Sequence, residues 1–283
     1  MLTHVYSLYR SLKTGIDIAT WLPDPPDASK LVERWVDEAE DLKASIMNEL
    51  WDDAFGAFRE SPEDRTLFPQ DANSMALAFG VVEKGSNQSE RISSYLETNW
   101  TPIGPEVPEL EGNISPFITS IELVGHFRAG HPERAVQLMR DAWGWYINHP
   151  NGTGSTVAEG YRVDGTWGYR TDRGYKDATY MSHTHCWSSG PTSSLTEYLV
   201  GLRVTAPAGK GWSFVPETGV FDLGAAEAGF STKLGKFSAS FKVEGKRVHL
   251  HWDTPLGTKG WVSLPGKKGV WVDGGKGAKT VCI

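Results

Sequence analysis

Apolar positions recur at helical intervals through the first two-thirds of the chain and alternate at strand intervals through the last third. Behind Pro25 and Pro26, Asp27 stands as an N-cap. Leu31, Trp35, Ala39, Leu42, Ile46 and Leu50 then follow at steps of three and four, so one face of a long helix is apolar. The same period predicts helices over 6–21, 72–82, 89–100, 116–129 with Ser115 as its cap, 132–147 with Pro132 at the tolerated first position, and 192–202. Short links between long helices favour antiparallel neighbours, which makes the pattern a set of helical hairpins.

Near Thr205 the texture changes: Gly and Pro rise and helical spacing stops. KFSASFKV and RVHLHW alternate on either side of Glu244-Gly245-Lys246 and predict a β-hairpin, while GWVSLP and GVWVD predict further short strands. At 283 residues the chain can hold one large domain or two unequal ones. The patterning predicts a mainly α protein, with a helical domain over 1–204 and a β-domain over 205–283 that forms a small sandwich or sheet.

Composition removes several function classes. The net charge is −7 and the 28 Lys and Arg are scattered, so no basic stripe exists for a nucleic-acid backbone. Cys186 and Cys282 are the only cysteines, which leaves neither a disulfide framework nor a metal-spaced set. No apolar run reaches bilayer length, and the polar opening MLTHVYSLYRSLKTG is unlike a secretory leader, so the chain as written reads as cytoplasmic and not membrane-bound. Against that, Asn87, Asn99, Asn113 and Asn151, four of seven asparagines, open N-x-[ST] sequons and point to a secreted ancestor. Twelve tryptophans are an unusual investment, and their broad apolar faces suit core packing and sugar stacking equally.

The densest candidate chemistry lies over 152–192, a stretch of little helical periodicity whose aromatic residues argue against disorder. It holds the isolated Glu159, three aspartates, His183 and His185 two apart, and Trp167, Tyr169 and Trp187. A carboxylate among aromatics and histidines is what glycoside hydrolysis needs: a proton acceptor or donor, flat faces for a sugar, and partners for its hydroxyls. Each residue also has a structural reading. Glu159 as an exposed loop carboxylate, the histidines as a hydrogen-bonded pair, and Trp167 and Trp187 as core all stay open. The His-x-His pair lacks a third ligand at a familiar spacing, so no metal site is read. Asp71 and Asn73, at a loop-to-helix junction in FPQDANSMA, suit either a helix cap or a substrate contact.

The segments FPQDANSMALAFGVV, NISPFITSIELVGHFRAG, GSTVAEGY and SHTHCWSSGPTSSLTEYLVGL resemble, in order and spacing, landmarks of the family 78 α-L-rhamnosidases, particularly a fungal branch. GWSFVPETG and HWDTPLGTKGWVSLPG resemble the β-domain that closes those proteins. The resemblance implies an (α/α)6 barrel, here incomplete, and hydrolysis of terminal α-L-rhamnosyl groups with inversion and without a cofactor. Inversion uses two carboxyl groups, one protonating the leaving oxygen and the other activating a water. By position Glu159 matches the general base, and His185 and Trp187 match a His-Gly-Trp segment whose histidine contacts the sugar and whose tryptophan walls it. His183 matches a histidine just before that segment, and Asp71 and Asn73 lie on a motif with a structural or substrate-lining role. Cys186 replaces the usual glycine, adding a side chain beside the implied sugar contact.

The family's general acid belongs to an acidic motif upstream of the first helix, and no residue of this chain matches it. Some seven helices are also too few for a twelve-helix double ring, and an open half-barrel exposes apolar faces. Either a longer product or self-association would complete the barrel. Three functions stay in view: a rhamnosidase-like hydrolase, a non-catalytic sugar-binding relative, and another α/α-toroid enzyme such as a polysaccharide lyase, in which Tyr161, Tyr169 or a histidine would move the proton.

Overall fold

The computed structural model describes residues 3–22 and 28–283, so the Asp27 cap lies outside the described residues. The chain divides into two compact units, Met1–Gly190 and Pro191–Ile283. Thus the helical segment that precedes the change of texture at Thr205 groups with the sheet.

The first unit contains α1 (Thr3–Trp21), α2 (Ala28–Leu50), α3 (Gln70–Phe79), α4 (Asn87–Glu97), α5 (Pro116–Ala129) and α6 (Pro132–Ile147). α1 packs on α2 and α3, α3 on α4 and α5, and α5 on α6. The apolar face of α2 is covered in its second half, where Ala39, Ile46 and Leu50 are buried, while Leu31 near its start is exposed. Two close approaches explain glycines inside helices. A Cβ on Gly15 of α1 would stand 3.1 Å from the Trp35 ring of α2, and one on Gly125 of α5 would stand 3.1 Å from Leu77 Cβ of α3.

Helix ends follow local chemistry. α3 stops three residues short of the predicted end at 82, because Gly80 adopts φ 81° and its N–H turns back to Ala76 and Leu77 carbonyls. Gly130, with φ 95°, ends α5 the same way. Ser115 occupies the N-cap position of α5, but its side chain makes no capping bond; its carbonyl accepts from Thr119 instead. The long stretch after α6 is tied down by Tyr161–Arg162, which pairs antiparallel with Asn113–Ile114, and by short helical turns at Thr171–Arg173, Ala178–Tyr180 and Cys186–Ser188.

The helix expected over 192–202 is shorter and wider: Gly190–Ser194 is α-helical and Leu195–Leu199 continues as a π-turn. After it come β1 (Leu202–Val204), β2 (Gly211–Phe214), β3 (Ala225–Thr232), β4 (Gly235–Glu244), β5 (Arg247–Val262) and β6 (Val270–Cys282). The predicted hairpin is β4–β5, with Glu244 paired to Arg247 and Gly245 at φ 60° in the turn.

The β-sandwich alternative is corrected: the strands form one six-stranded sheet. The reason is β5. It pairs with β6 on one side, and on the other with β4 over its first half and, parallel, with β2 over its last. A strand so long, interrupted by an irregularity between Thr254 and Lys259, bends the sheet toward a nearly closed barrel instead of splitting it into two layers.

The enclosed face carries Trp212, Phe214, Phe237, Phe241, Val248, Leu250, Trp252 and Val262. Two of its tryptophans lie across directly paired glycines, Trp212 over Gly260 and Trp252 over Gly277. A Cβ at either glycine would come within 2.3 Å of the indole. The glycines are therefore part of the core packing. Gly277→Val, although valine favours strands, is expected to lower stability by about 1–3 kcal/mol through overpacking. Gly219→Ala, where a Cβ meets nothing within 4 Å, should be near neutral. Urea denaturation of the two variants beside the parent checks the contrast.

Candidate functional site

Glu159 sits where two stretches of the long connection clamp together. Its N–H donates to the Ser182 carbonyl at 2.9 Å, and the His185 N–H donates to the Val157 carbonyl at 2.8 Å. The clamp turns the Glu159 side chain inward, leaving it 7% exposed. One carboxylate oxygen accepts from the Tyr175 hydroxyl, the other from the Ser182 N–H at 3.0 Å. His185 Nδ1 lies 3.8 Å from Glu159 Oε2, and it is buried without a hydrogen-bond partner. The His185 ring packs against Trp187 at 4.2 Å between centroids, Trp187 leans on Phe117, and Trp187 remains 54% exposed. The result is a nearly buried carboxylate behind an open aromatic wall. Gly160 is required beside it, since a Cβ there would fall 2.4 Å from the Tyr169 ring.

The structure thus brings Glu159, His185 and Trp187 together. His183 and His185, although two apart, keep different neighbours. The His183 ring meets Trp167 at 5.1 Å. Trp167 also contacts Trp145, His149 and Tyr161, so it and His183 belong to an aromatic cluster of their own. Asp71 lies in the first turn of α3, where its carboxylate accepts from the Ala72 N–H. The cap of that helix is supplied from elsewhere: Glu109 accepts from the Gln70 N–H at 2.8 Å and the Asp71 N–H at 3.1 Å. Asn73 is engaged with backbone, bonding both the N–H and carbonyl of Phe58 and the carbonyl of Pro69.

The electrostatics link these places. Burial, and then the charge of Asp71, push the Glu109 carboxyl up to about 7 against the helix N–H groups that oppose the shift. Burial is also the main reason the Tyr169 phenol is raised; Glu159 and Glu109 both add to it, against a hydrogen bond from Ser115 and the charge of Arg170. Tyr175 is raised chiefly by its hydrogen bond to Glu159, so the phenol stays protonated as the donor in that pair. Tyr175, Ser182 and Glu109 carry no signal in spacing or motif.

A broad depression lies in the second unit. It is a groove of about 770 Å³ on the outer face of the sheet, lined by residues including Glu227, Ser238, Ser240, His251 and Asp253. Among the described residues no group of three or more His, Cys, Asp or Glu is placed to hold a metal, and no helix is long and apolar enough to cross a membrane.

Residues 201–279 match the bacterial alpha-L-rhamnosidase C-terminal domain. No curated protein matches the chain. Among solved structures, the native alfa-L-rhamnosidase of Aspergillus terreus is 19% identical with TM-score 0.66, covering 89% of this chain and 28% of that one. The alpha-L-rhamnosidase of Streptomyces avermitilis, complexed with L-rhamnose, is 16% identical with TM-score 0.70, covering 98% and 26%. The alpha-L-rhamnosidase of Dictyoglumus thermophilum is 15% identical with TM-score 0.73, covering 98% and 31%. At these identities the likeness is one of fold, and the chain spans about a quarter to a third of each structure's length.

The raised carboxyl of Glu109 has a measurable consequence. In the folded chain it keeps a proton above its ordinary value of 4.5, so its contribution to stability is complete below that pH and lost as pH rises through about 7. Between those values the parent should lose stability that Glu109→Gln retains. The difference is expected on the order of 2 kcal/mol, discounted for water at the partly exposed carboxyl. Urea midpoints of both proteins from acid to neutral pH check it; parallel curves would contradict the assignment.

Proposed function

We propose that this chain, which carries a bacterial alpha-L-rhamnosidase C-terminal domain over residues 201–279, contributes the water-activating half of a rhamnoside-hydrolysing site. In this reading the hairpins α1–α2, α3–α4 and α5–α6 are one arc of an (α/α)6 toroid. Glu159 is the general base, His185 and Trp187 hold the sugar, and Trp167, His183 and Asp71 belong to the surrounding wall. The observation that carries it is the corner itself. Glu159 is held rigid by Tyr175 and Ser182, and beside it stand an unpaired buried ring nitrogen that a sugar hydroxyl can satisfy and an open indole face for the ring.

A base held in this way works by receiving the proton of a water that attacks the anomeric carbon from the face opposite the leaving oxygen. The donated hydrogen bonds fix where its lone pairs point, and the low exposure keeps bulk water from competing. The inverting mechanism still needs a second carboxyl to protonate the leaving oxygen. Glu109, pushed up to about 7, still carries a proton for part of the time at neutral pH, but both of its oxygens are committed to the amides of α3. That commitment favours a second reading, a sugar-binding relative that lacks hydrolysis.

Hydrolysis of p-nitrophenyl α-L-rhamnoside separates the two. The first reading expects turnover in the parent and a loss of about 10²–10⁴-fold in Glu159→Gln. Equal activity in the variant removes Glu159 from the base role. An inactive parent whose melting temperature L-rhamnose still raises supports the binding reading.

A further inference from the structure

The outer face of the β-sheet is polar along most of its rows, as expected where one face of an antiparallel sheet meets water. Glu227, Ser240 and His251 are paired across three strands, and Ser238 is paired with Asp253, which is paired with Lys276. One row breaks the pattern. Arg203 of β1 pairs with Ser213 of β2, Ser213 with Trp261 of β5, and Trp261 with Trp271 of β6. Directly paired residues share a face. Because Trp212 and Phe214 on either side of Ser213 are buried, that shared face is the outer one.

Trp271 is 69% exposed, and its ring meets that of Trp261 edge-on at 5.4 Å. Trp261 is set from below: a Cβ on Gly269 would fall 2.3 Å from its ring, so the indole lies on bare backbone. At the other end of the row the Arg203 guanidinium stacks 3.9 Å over the Tyr198 ring, and its Nε donates to the Glu197 carbonyl. That leaves Nη1 and Nη2 as donors. The neighbouring row is the charged pair Lys259 and Asp273.

Exposed indoles add nothing to a core, and two of them are too few for a protein partner. At about 150–250 Å² each they fall well short of the roughly 800 Å² that each side of a stable protein interface covers. What the row does match is a pyranose chain, whose rings offer apolar C–H faces to indoles and hydroxyls to Arg, Ser and charged neighbours. With strands about 4.8 Å apart, three steps across the sheet give roughly 14 Å, the length of a short oligosaccharide. We propose that Trp271, Trp261, Ser213 and Arg203 form a second carbohydrate-binding surface, which holds a polysaccharide chain on the β-unit. The surface is independent of the reading of Glu159, since every residue in it lies in the unit Pro191–Ile283.

Native affinity electrophoresis of the whole chain tests it, in gels containing soluble rhamnogalacturonan or, as a rhamnose-free comparison, arabinoxylan. The parent should be retarded by at least one of them. Trp271→Ala should bind about tenfold or more weakly, the size of one lost stacking contact, with its melting temperature unchanged. Because Trp271 takes no part in the Glu159 corner, its effect on retardation is read apart from whatever that corner does. Absence of retardation in both gels, or equal retardation of Trp271→Ala, overturns the proposal. So does size-exclusion showing a parent dimer that Trp271→Ala dissociates, because the occupant would then be a second copy of the chain.

Discussion

One buried carboxylate organises the helical unit. Glu122 of α5 is fully buried, and its oxygens accept from Gln70 Nε2 at 2.6 Å and Trp100 Nε1 at 2.7 Å, with His126 Nε2 at 3.2 Å. The far side of the His126 ring meets Ser93 Oγ at 2.8 Å, and Arg134 Nη1 donates to the same hydroxyl at 2.9 Å. A carboxyl buried so deeply depends on these partners; removing one from a buried pair typically costs about 3–5 kcal/mol. The network therefore fixes α3, α4, α5 and α6 relative to one another. It also fixes Gln70, whose backbone N–H donates to Glu109. The segment after Glu109 then supplies Asn113–Ile114, the strand partner of Tyr161–Arg162, and Glu159 lies two residues before that strand. The candidate base is thus positioned through a short chain of contacts that begins at a residue with no part in the chemistry.

Helix existence was legible because periodicity reports burial on one face, and it holds from Ala39 to Leu50. Helix ends were less so. A left-handed glycine such as Gly80 overrides an apolar period that runs on past it, and a serine such as Ser115 sits at the cap position while its side chain does something else. The sheet shows a different limit. Alternation marks strands but not how many neighbours one strand can take, so the double pairing of β5, which curls the sheet into one layer, leaves no trace in the pattern.

The candidate site divides along the same line. Glu159, His185 and Trp187 stood out as a carboxylate among aromatics, and the fold gathers them. Tyr175 and Ser182, which hold Glu159 in place, could not be read because their role depends on long-range folding of an irregular segment. The tryptophan count shows the ambiguity most directly. Trp143, Trp212 and Trp252 pack inside, whereas Trp187 and Trp271 face water, and twelve tryptophans in a composition give no means of separating the two groups.

The corner formed by Glu159, His185 and Trp187 is proposed to receive a sugar. A crystal structure of the chain soaked with L-rhamnose tests it most directly. A pyranose ring is expected against the exposed face of Trp187, with a hydroxyl in hydrogen-bond reach of His185 Nδ1 and the Glu159 carboxylate at its edge. Rhamnose absent from that corner at saturating concentration, or seated only where none of these three residues can touch it, would contradict the claim.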